Sequence, residues 1–168
     1  MSKNSQKKLE NTILYLSSKS KFNCYKKLAK LLYFVDFTYY EYASKPITGL
    51  KYQKYTHGPI PFDFYKILSN MEKEGLIEIK EKAFSLGKIK NVVSKKKPDL
   101  KVFSKEELEI LRSITEKYKN SMAGELEKDA KDEAPYIMVE SKEEIPYHLA
   151  FYRNTFGEMD LENENSHS

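Results

Sequence analysis

Apolar positions along this chain repeat with two different periods, and the changes between them outline its elements. Leu9, Ile13, Leu14 and Leu16 recur at mostly helical spacing and predict a short first helix over residues 7–18. The polar run Ser17-Ser18-Lys19-Ser20-Lys21 breaks it, and Asn23 stands where an N-cap would open a longer helix reaching Tyr42. Along that second helix, roughly 30 Å in length, Tyr25, Leu28, Ala29, Leu32, Val35, Asp36, Tyr39 and Tyr40 recur at steps of three and four and share one stripe.

The period then falls to two. Pro46 and Gly49 punctuate a turn, after which Tyr52, Lys54 and Thr56 alternate with Lys51, Gln53 and Tyr55 as a short strand would. Pro61 suits the first turn of a third helix, where its missing N–H costs nothing, and Phe62, Tyr65, Leu68 and Met71 supply the apolar stripe until Gly75 ends it. Residues 76–82 and 88–93 read as a β-hairpin around Ser85-Leu86-Gly87, followed by the basic linker Ser94-Lys95-Lys96-Lys97-Pro98. Ser104 with Glu107 makes a capping box for a helix over 104–119 with Leu108, Leu111, Ile114 and Tyr118 on one face. A further helix is expected from Ser121, and Ile145-Pro146-Tyr147 leads into a short aromatic helix through Tyr152. The predicted class is α+β: a mainly helical single domain with a short strand and a β-hairpin, spanning 1–155, before an acidic, polar and flexible tail at 156–168.

Composition supports a folded domain. The chain has 168 residues, 40% of them apolar, with 13 Tyr, 9 Phe and no Trp. A domain of this size buries roughly 70% of its unfolded surface. No apolar run approaches the ~18 residues needed to cross a bilayer, and Glu10, Asn11 and Thr12 interrupt any leader-like pattern at the N-terminus. The lone cysteine, Cys24, cannot form an internal disulfide, which fits a cytoplasmic location. Charge is unevenly spread: residues 1–105 hold 22 lysines against 9 acids, and residues 106–168 hold 7 basic residues against 16 acids. This split suits an anionic partner or a contact between the two parts, although a solvated lysine-rich surface is the simpler reading.

Catalytic chemistry finds little support. The histidines are His57, His148 and His167, and no HExxH, CxxC, Walker A or GxGxxG pattern occurs. A Cys24–His57 dyad is weaker than the reading of Cys24 as a packed thiol. One cysteine and two usable histidines do not furnish a closed zinc site. The chain is therefore expected to be no enzyme and to need no metal or cofactor. Asp36 stands apart, because a carboxylate on an apolar stripe must be paired or accept hydrogen bonds. Its candidate donors are tyrosine hydroxyls, His57 and the backbone N–H groups of segments 46–49 and 57–61. Pinning those loops and touching a partner are equally good roles for it.

Tyr33, Tyr39, Tyr40, Tyr42, Tyr52 and Tyr55 crowd one segment, more hydroxyls than an interior comfortably accommodates. As a group they favour an interface, where tyrosine is enriched among anchors. His57-Gly58-Pro59-Ile60-Pro61 is a stiff loop that either sets the entry of the next helix or presents a low-entropy recognition surface.

The order Lys30-Leu31-Leu32-Tyr33-Phe34-Val35-Asp36, then Pro46-Ile47-Thr48-Gly49, Tyr52, and Gly58-Pro59-Ile60-Pro61 with Tyr65 resembles the Panacea domain, the SocA-like antitoxin family formerly called phage-associated or GepA-like proteins. The likeness covers about 25–147. It departs from the family in the later half: where a Leu-x-x-x-x-His segment, an acidic pair and a tryptophan are usual, this chain has Leu126, Lys131, Asp132-Glu133 and Tyr136. The resemblance implies an antitoxin that neutralises a toxin encoded beside it by direct protein–protein binding. A SocA-like adaptor delivering the toxin to the ClpXP protease is the alternative within the family. Candidate partner-binding residues on this reading are Tyr33, Asp36, Tyr40, Tyr52, His57, Gly58, Pro59 and Pro61.

A winged-helix DNA-binding regulator is the competing class, with residues 62–75 as the recognition helix and the basic hairpin as the wing. It is disfavoured by Asp63, Glu72 and Glu74 on that helix and by the absence of any arginine before Arg112. The sequence leaves the toxin's identity and the oligomeric state open.

Overall fold

The computed structural model describes residues 1–153, so the expected boundary at 155 and the tail at 156–168 lie outside them. Its centre is α2 (Tyr25–Ala43), which buries residues on nearly every side, among them Leu28, Leu32, Tyr33, Val35 and Phe37. A helix buried all round needs neighbours all round. These are α1 (Lys3–Ser18), α4 (Lys105–Tyr118), α5 (Ala123–Lys131), the strand β2 (Gly58–Pro61) and a 3-10 segment, Tyr147–Tyr152. The helix ends at Ser44, which adopts the left-handed conformation (φ 55°) and donates its N–H to the Tyr40 carbonyl at 2.8 Å.

The first helix begins earlier than the expected residue 7. Ser2 caps it by accepting from the Ser5 N–H, and the exposed polar turn behind that cap has no apolar period to reveal it. Asn23 is not the cap of α2, a role that falls to Cys24 without a side-chain hydrogen bond. Instead the buried Asn23 amide donates to the carbonyls of Ser17 (2.8 Å) and Ser20 (2.7 Å), closing the end of α1. Its backbone N–H donates to Asn91 Oδ1 and its carbonyl accepts from Val92, tying the linker to a hairpin far away in sequence. Only that long-range pairing could reassign Asn23 from helix start to helix end.

That hairpin, β3 (Ile77–Phe84) with β4 (Gly87–Ser94), is antiparallel, in register from Ile77 opposite Ser94 to Phe84 opposite Gly87. It is longer than its apolar alternation, because Lys80, Lys82, Lys88 and Lys90 project it into solvent beyond the buried Ile77 and Val92. The capping box of α4 forms as the sequence predicts: Ser104 Oγ accepts from Glu107 N–H (3.1 Å) and Glu107 Oε1 accepts from Ser104 N–H (2.8 Å). Glu107 also pairs with Lys8 at 3.0 Å, joining α4 to α1. The helix expected from Ser121 starts at Ala123, and the short α6 (Ala134–Ile137) follows it. The aromatic helix expected after Tyr147 is a 3-10 segment.

The stiff loop at 57–61 is the main correction. Residues 58–61 are a strand, β2, paired antiparallel with β1 (Tyr52–Tyr55), and Pro61 ends that strand instead of opening a helix. The third helix, α3 (Phe64–Lys73), starts only after Asp63, which sits at φ 57°. Two prolines fit in a strand here because of where they fall. Phe62 N–H donates to Lys51 C=O (2.8 Å), so hydrogen-bonded pairs alternate from that point and leave Pro61 opposite Tyr52 and Pro59 opposite Lys54 at non-hydrogen-bonded positions. The opposite edge of β1 is used as well: Lys54 N–H donates to Glu143 C=O, Lys142 N–H to Lys54 C=O, and Ile145 N–H to Tyr52 C=O. β1 is thus enclosed on both edges, which fixes its register on α2.

Gly75 ends α3 as expected, at φ 75°, one residue beyond the cap at Glu74. Asn23→Ala should lower the unfolding free energy by about 1–3 kcal/mol, because two buried carbonyls lose their donor; urea unfolding followed by circular dichroism measures it.

Candidate functional site: an aromatic face on a hydrogen-bonded base

The base is built around Asp36, which α2 carries into the interior with no exposed surface. Its Oδ1 accepts from the backbone N–H groups of Ile47 (2.9 Å) and Thr48 (2.7 Å). Its Oδ2 accepts from the Tyr52 hydroxyl (2.5 Å) and from the Thr48 hydroxyl. Those donors all come from the turn after α2 and from the start of β1. Gly49, at φ 74°, allows the chain to reverse between them. The Thr48 hydroxyl in turn accepts from Leu50 N–H, and Tyr147 donates its hydroxyl to the Leu50 carbonyl. Burial pushes the Asp36 carboxyl up to about 6, and the hydrogen bonds from Thr48, Tyr52 and Ile47 hold it below the 8–9 that buried carboxylates can reach. Burial also raises the Tyr52 and Tyr147 hydroxyls, with Asp36 adding to both.

A second buried network lies one turn back on α2. Tyr33 donates its hydroxyl to Glu133 Oε1 at 2.9 Å, and Arg153 clamps the same carboxylate through Nε (2.8 Å) and Nη2 (3.0 Å). Arg153 Nη1 reaches Thr38 Oγ1 at 2.9 Å, so the guanidinium locks the end of the described chain onto α2. Sequence reasoning missed Glu133 and Arg153. The available signals were the acidic pair 132–133 and the scarcity of arginine, since Arg112 and Arg153 are the only two in the chain.

Among the eight sequence-selected residues, the structure divides base from surface. Tyr33, Asp36 and Tyr52 have no exposed surface, and Gly58, Pro59 and Pro61 are buried with β2. Helices and strands already cover all six, so none of them presents an exposed surface to a partner in this structure. Tyr40 is half-buried, stacked on Tyr147 at 5.3 Å and flanked by Phe151. His57 is the exposed member: its side chain keeps 69% of its surface, and Nδ1 lies 2.7 Å from Glu127 Oε1. Lys26 holds the other oxygen of Glu127 at 2.9 Å. Gly58 serves a neighbour: at φ 108° it faces Lys30, whose Cε would lie 2.6 Å from any added Cβ.

Of the exposed aromatics of this face, Tyr55 belongs to the tyrosine group expected to favour an interface, whereas Phe62 and Tyr65 are not among the residues selected from the sequence. Tyr55, Phe62 and Tyr65 surround a shallow hollow of about 720 Å³ beside His57, and Tyr65 is 60% exposed. Phe62 and Tyr65 are hidden because they read as stripe positions of a helix that in fact starts at residue 64. A face of clustered aromatics on a stiff hairpin can bind apolar side chains of another polypeptide. Among the described residues no group of three or more His, Cys, Asp or Glu is placed to hold a metal, and no helix is long and apolar enough to cross a membrane.

The model of one protein family, described as antitoxin SocA-like, Panacea domain, matches residues 28–136. The chain belongs to that family of antitoxins. The match begins in α2 and ends in α6, so it takes in the Asp36 network, both strands of the β1–β2 hairpin and Glu133. Comparison with curated proteins and with solved structures gives no match.

Asp36→Ala strands four buried donors and should cost about 3–5 kcal/mol in urea unfolding. A pH signature accompanies it. The folded-state value of about 6 lies above the ordinary 3.8, so the folded chain takes up this proton first on acidification. The stability contributed by the group falls as pH rises between those two values and is flat above them. Asp36→Asn should remove that slope, read as the change in its urea midpoint across the same interval.

Proposed function

We propose that this chain is a cytoplasmic antitoxin that neutralises a toxin encoded beside it by direct binding, with His57, Tyr55, Phe62 and Tyr65 forming the contact face. The observation that carries this reading is the exposure of these aromatics together around one hollow, over a base fixed by the Asp36 hydrogen bonds. A preorganised base lowers the entropy lost on binding, so apolar contact converts more fully into affinity. Membership of an antitoxin family supplies the kind of partner. The role needs no bond-making, and the buried carboxylates here are satisfied by structural donors.

Duplex binding is the second reading, favoured by the lysines of the β3–β4 hairpin and by a hollow that Lys95, Lys96 and Lys97 line with Lys19. It lacks a base-reading helix, since α3 opens after Asp63 and is followed by Glu74.

The test is co-expression with the product of the adjacent gene. The chain should restore growth and co-purify with that product, and Phe62→Ala with Tyr65→Ala should weaken the complex by about tenfold or more without lowering the thermal midpoint. A double variant that protects as well as the wild type would remove this face from the function. Accelerated loss of the toxin in cells with ClpXP, relative to cells without it, would identify delivery to the protease in place of blockade. A steep fall of duplex affinity with salt would support the regulator instead.

A further inference from the structure

Lys30 sits in the N-terminal third of α2 with no exposed surface, and its Nζ has no hydrogen-bond partner. Among the described residues it is the one buried ionisable side chain in that condition. The other buried charges at α2 have hydrogen-bond partners: Asp36 its four donors, Lys27 the Ser20 hydroxyl at 3.3 Å, and Glu133, beside Tyr33, the Arg153 guanidinium. An isolated buried ammonium is strongly disfavoured. Burial pushes Lys30 down to about 8, against the attraction of Glu127. Glu127 is already committed to Lys26 and His57.

The chain makes room for this lysine. Gly58 leaves out the Cβ that would collide with the Lys30 stem, in a strand otherwise stiffened by Pro59 and Pro61. Above the stem lies a cavity of about 280 Å³, walled by Tyr25, Ala29, Ile60, Phe64 and Tyr65 with Lys30 in its lining. A drug-sized ligand needs about 300–1,000 Å³, so the space suits a single amino-acid side chain. The cavity shares His57, Ile60, Phe64 and Tyr65 with the hollow proposed above as the contact face. Its walls offer aromatic and aliphatic surface for methylenes, and its linings carry Lys26, Lys30 and His57 but no carboxylate.

We propose that this cavity is an anchor pocket into which the Lys30 ammonium, sealed from solvent in the free chain, turns to receive the carboxylate of an aspartate or glutamate side chain inserted by the partner polypeptide. The inference rests on the antitoxin reading for the identity of the partner, and on the cavity alone for the chemistry. The anchor's methylenes lie against Tyr25, Phe64 and Tyr65, and its carboxylate supplies the hydrogen-bond partner that the Lys30 ammonium lacks. A charge pair of this kind gives specificity, because a partner carrying a lysine or an amide at the same place leaves Lys30 unanswered.

Two measurements test it separately. In the first, the full chain is labelled at the lysine ε-carbons, and the Lys30 signal is assigned by its absence in Lys30→Met. Sodium acetate should shift that signal saturably and raise its titration midpoint, while acetamide and sodium chloride at the same concentrations should not. Equal responses to acetate and chloride would overturn the pocket. In the second, the adjacent-gene product is titrated onto wild type and Lys30→Met. Methionine retains the stem packing and removes an unpaired buried charge, so the thermal midpoint should hold or rise while the complex weakens on the order of thirtyfold. Equal affinity for both forms would overturn the anchor while leaving the antitoxin reading intact. A product that binds neither form counts against the antitoxin reading, and the acetate response then decides the pocket by itself.

Discussion

A carboxylate carried into the middle of an apolar helix must be answered by hydrogen bonds, and the way Asp36 is answered organises much of this molecule. Its donors are the N–H groups of Ile47 and Thr48 and the hydroxyls of Thr48 and Tyr52. They are available only if the chain turns sharply after α2 and runs back along it. That path delivers β1 to a fixed place on the helix. From there β1 pairs with β2 on one edge and with residues 142–145 on the other. A break at Asp36 would therefore loosen the hairpin, the returning chain and Tyr147 together, because each is positioned from the last.

The interior of α2 handles charge in three ways that differ in consequence. Asp36 is satisfied by donors 11 to 16 residues further along the chain, in the turn after α2 and the start of β1, which gives rigidity. Glu133 and Arg153 meet across twenty residues and add Tyr33 and Thr38, which closes the C-terminal segment over the helix. Lys30 has a place made for its stem by Gly58 and nothing for its ammonium. In a domain whose other buried charges are matched within hydrogen-bonding distance, this asymmetry points outward, to a group supplied by another molecule.

The tyrosines divide along the same line. Tyr33 and Tyr52 bury entirely because each finds a carboxylate for its hydroxyl, and Tyr136 and Tyr147 reach backbone carbonyls. Tyr65 lies in tilted contact with Tyr25 and Phe64 and keeps most of its surface in water. Aromatic surplus in the sequence thus has two physical origins here: internal hydrogen-bonded struts and an outward apolar face. The first holds the second still, which is what a binding surface requires if little entropy is to be lost on association.

Local physics alone made several features legible. The stripe of α2, the capping box of Ser104 and Glu107, the stop at Gly75 and the alternation of the basic hairpin each depend on residues within a few positions of one another. So did the requirement that Asp36 be satisfied, and the ordered series from Lys30 to Tyr65 that marks the antitoxin family. Tertiary structure decided what lay beyond that range. Pro59 and Pro61 could be placed in a strand only once β1 supplied a partner whose hydrogen bonds skip both of them. Asn23 became the closure of α1 only when β4 took its backbone groups. Tyr33, Asp36 and Tyr52 became interior positions because α1, α4, α5, β2 and the returning chain pack around α2. Periodicity records which faces of an element are apolar; it carries no information about how many of those faces other elements will cover.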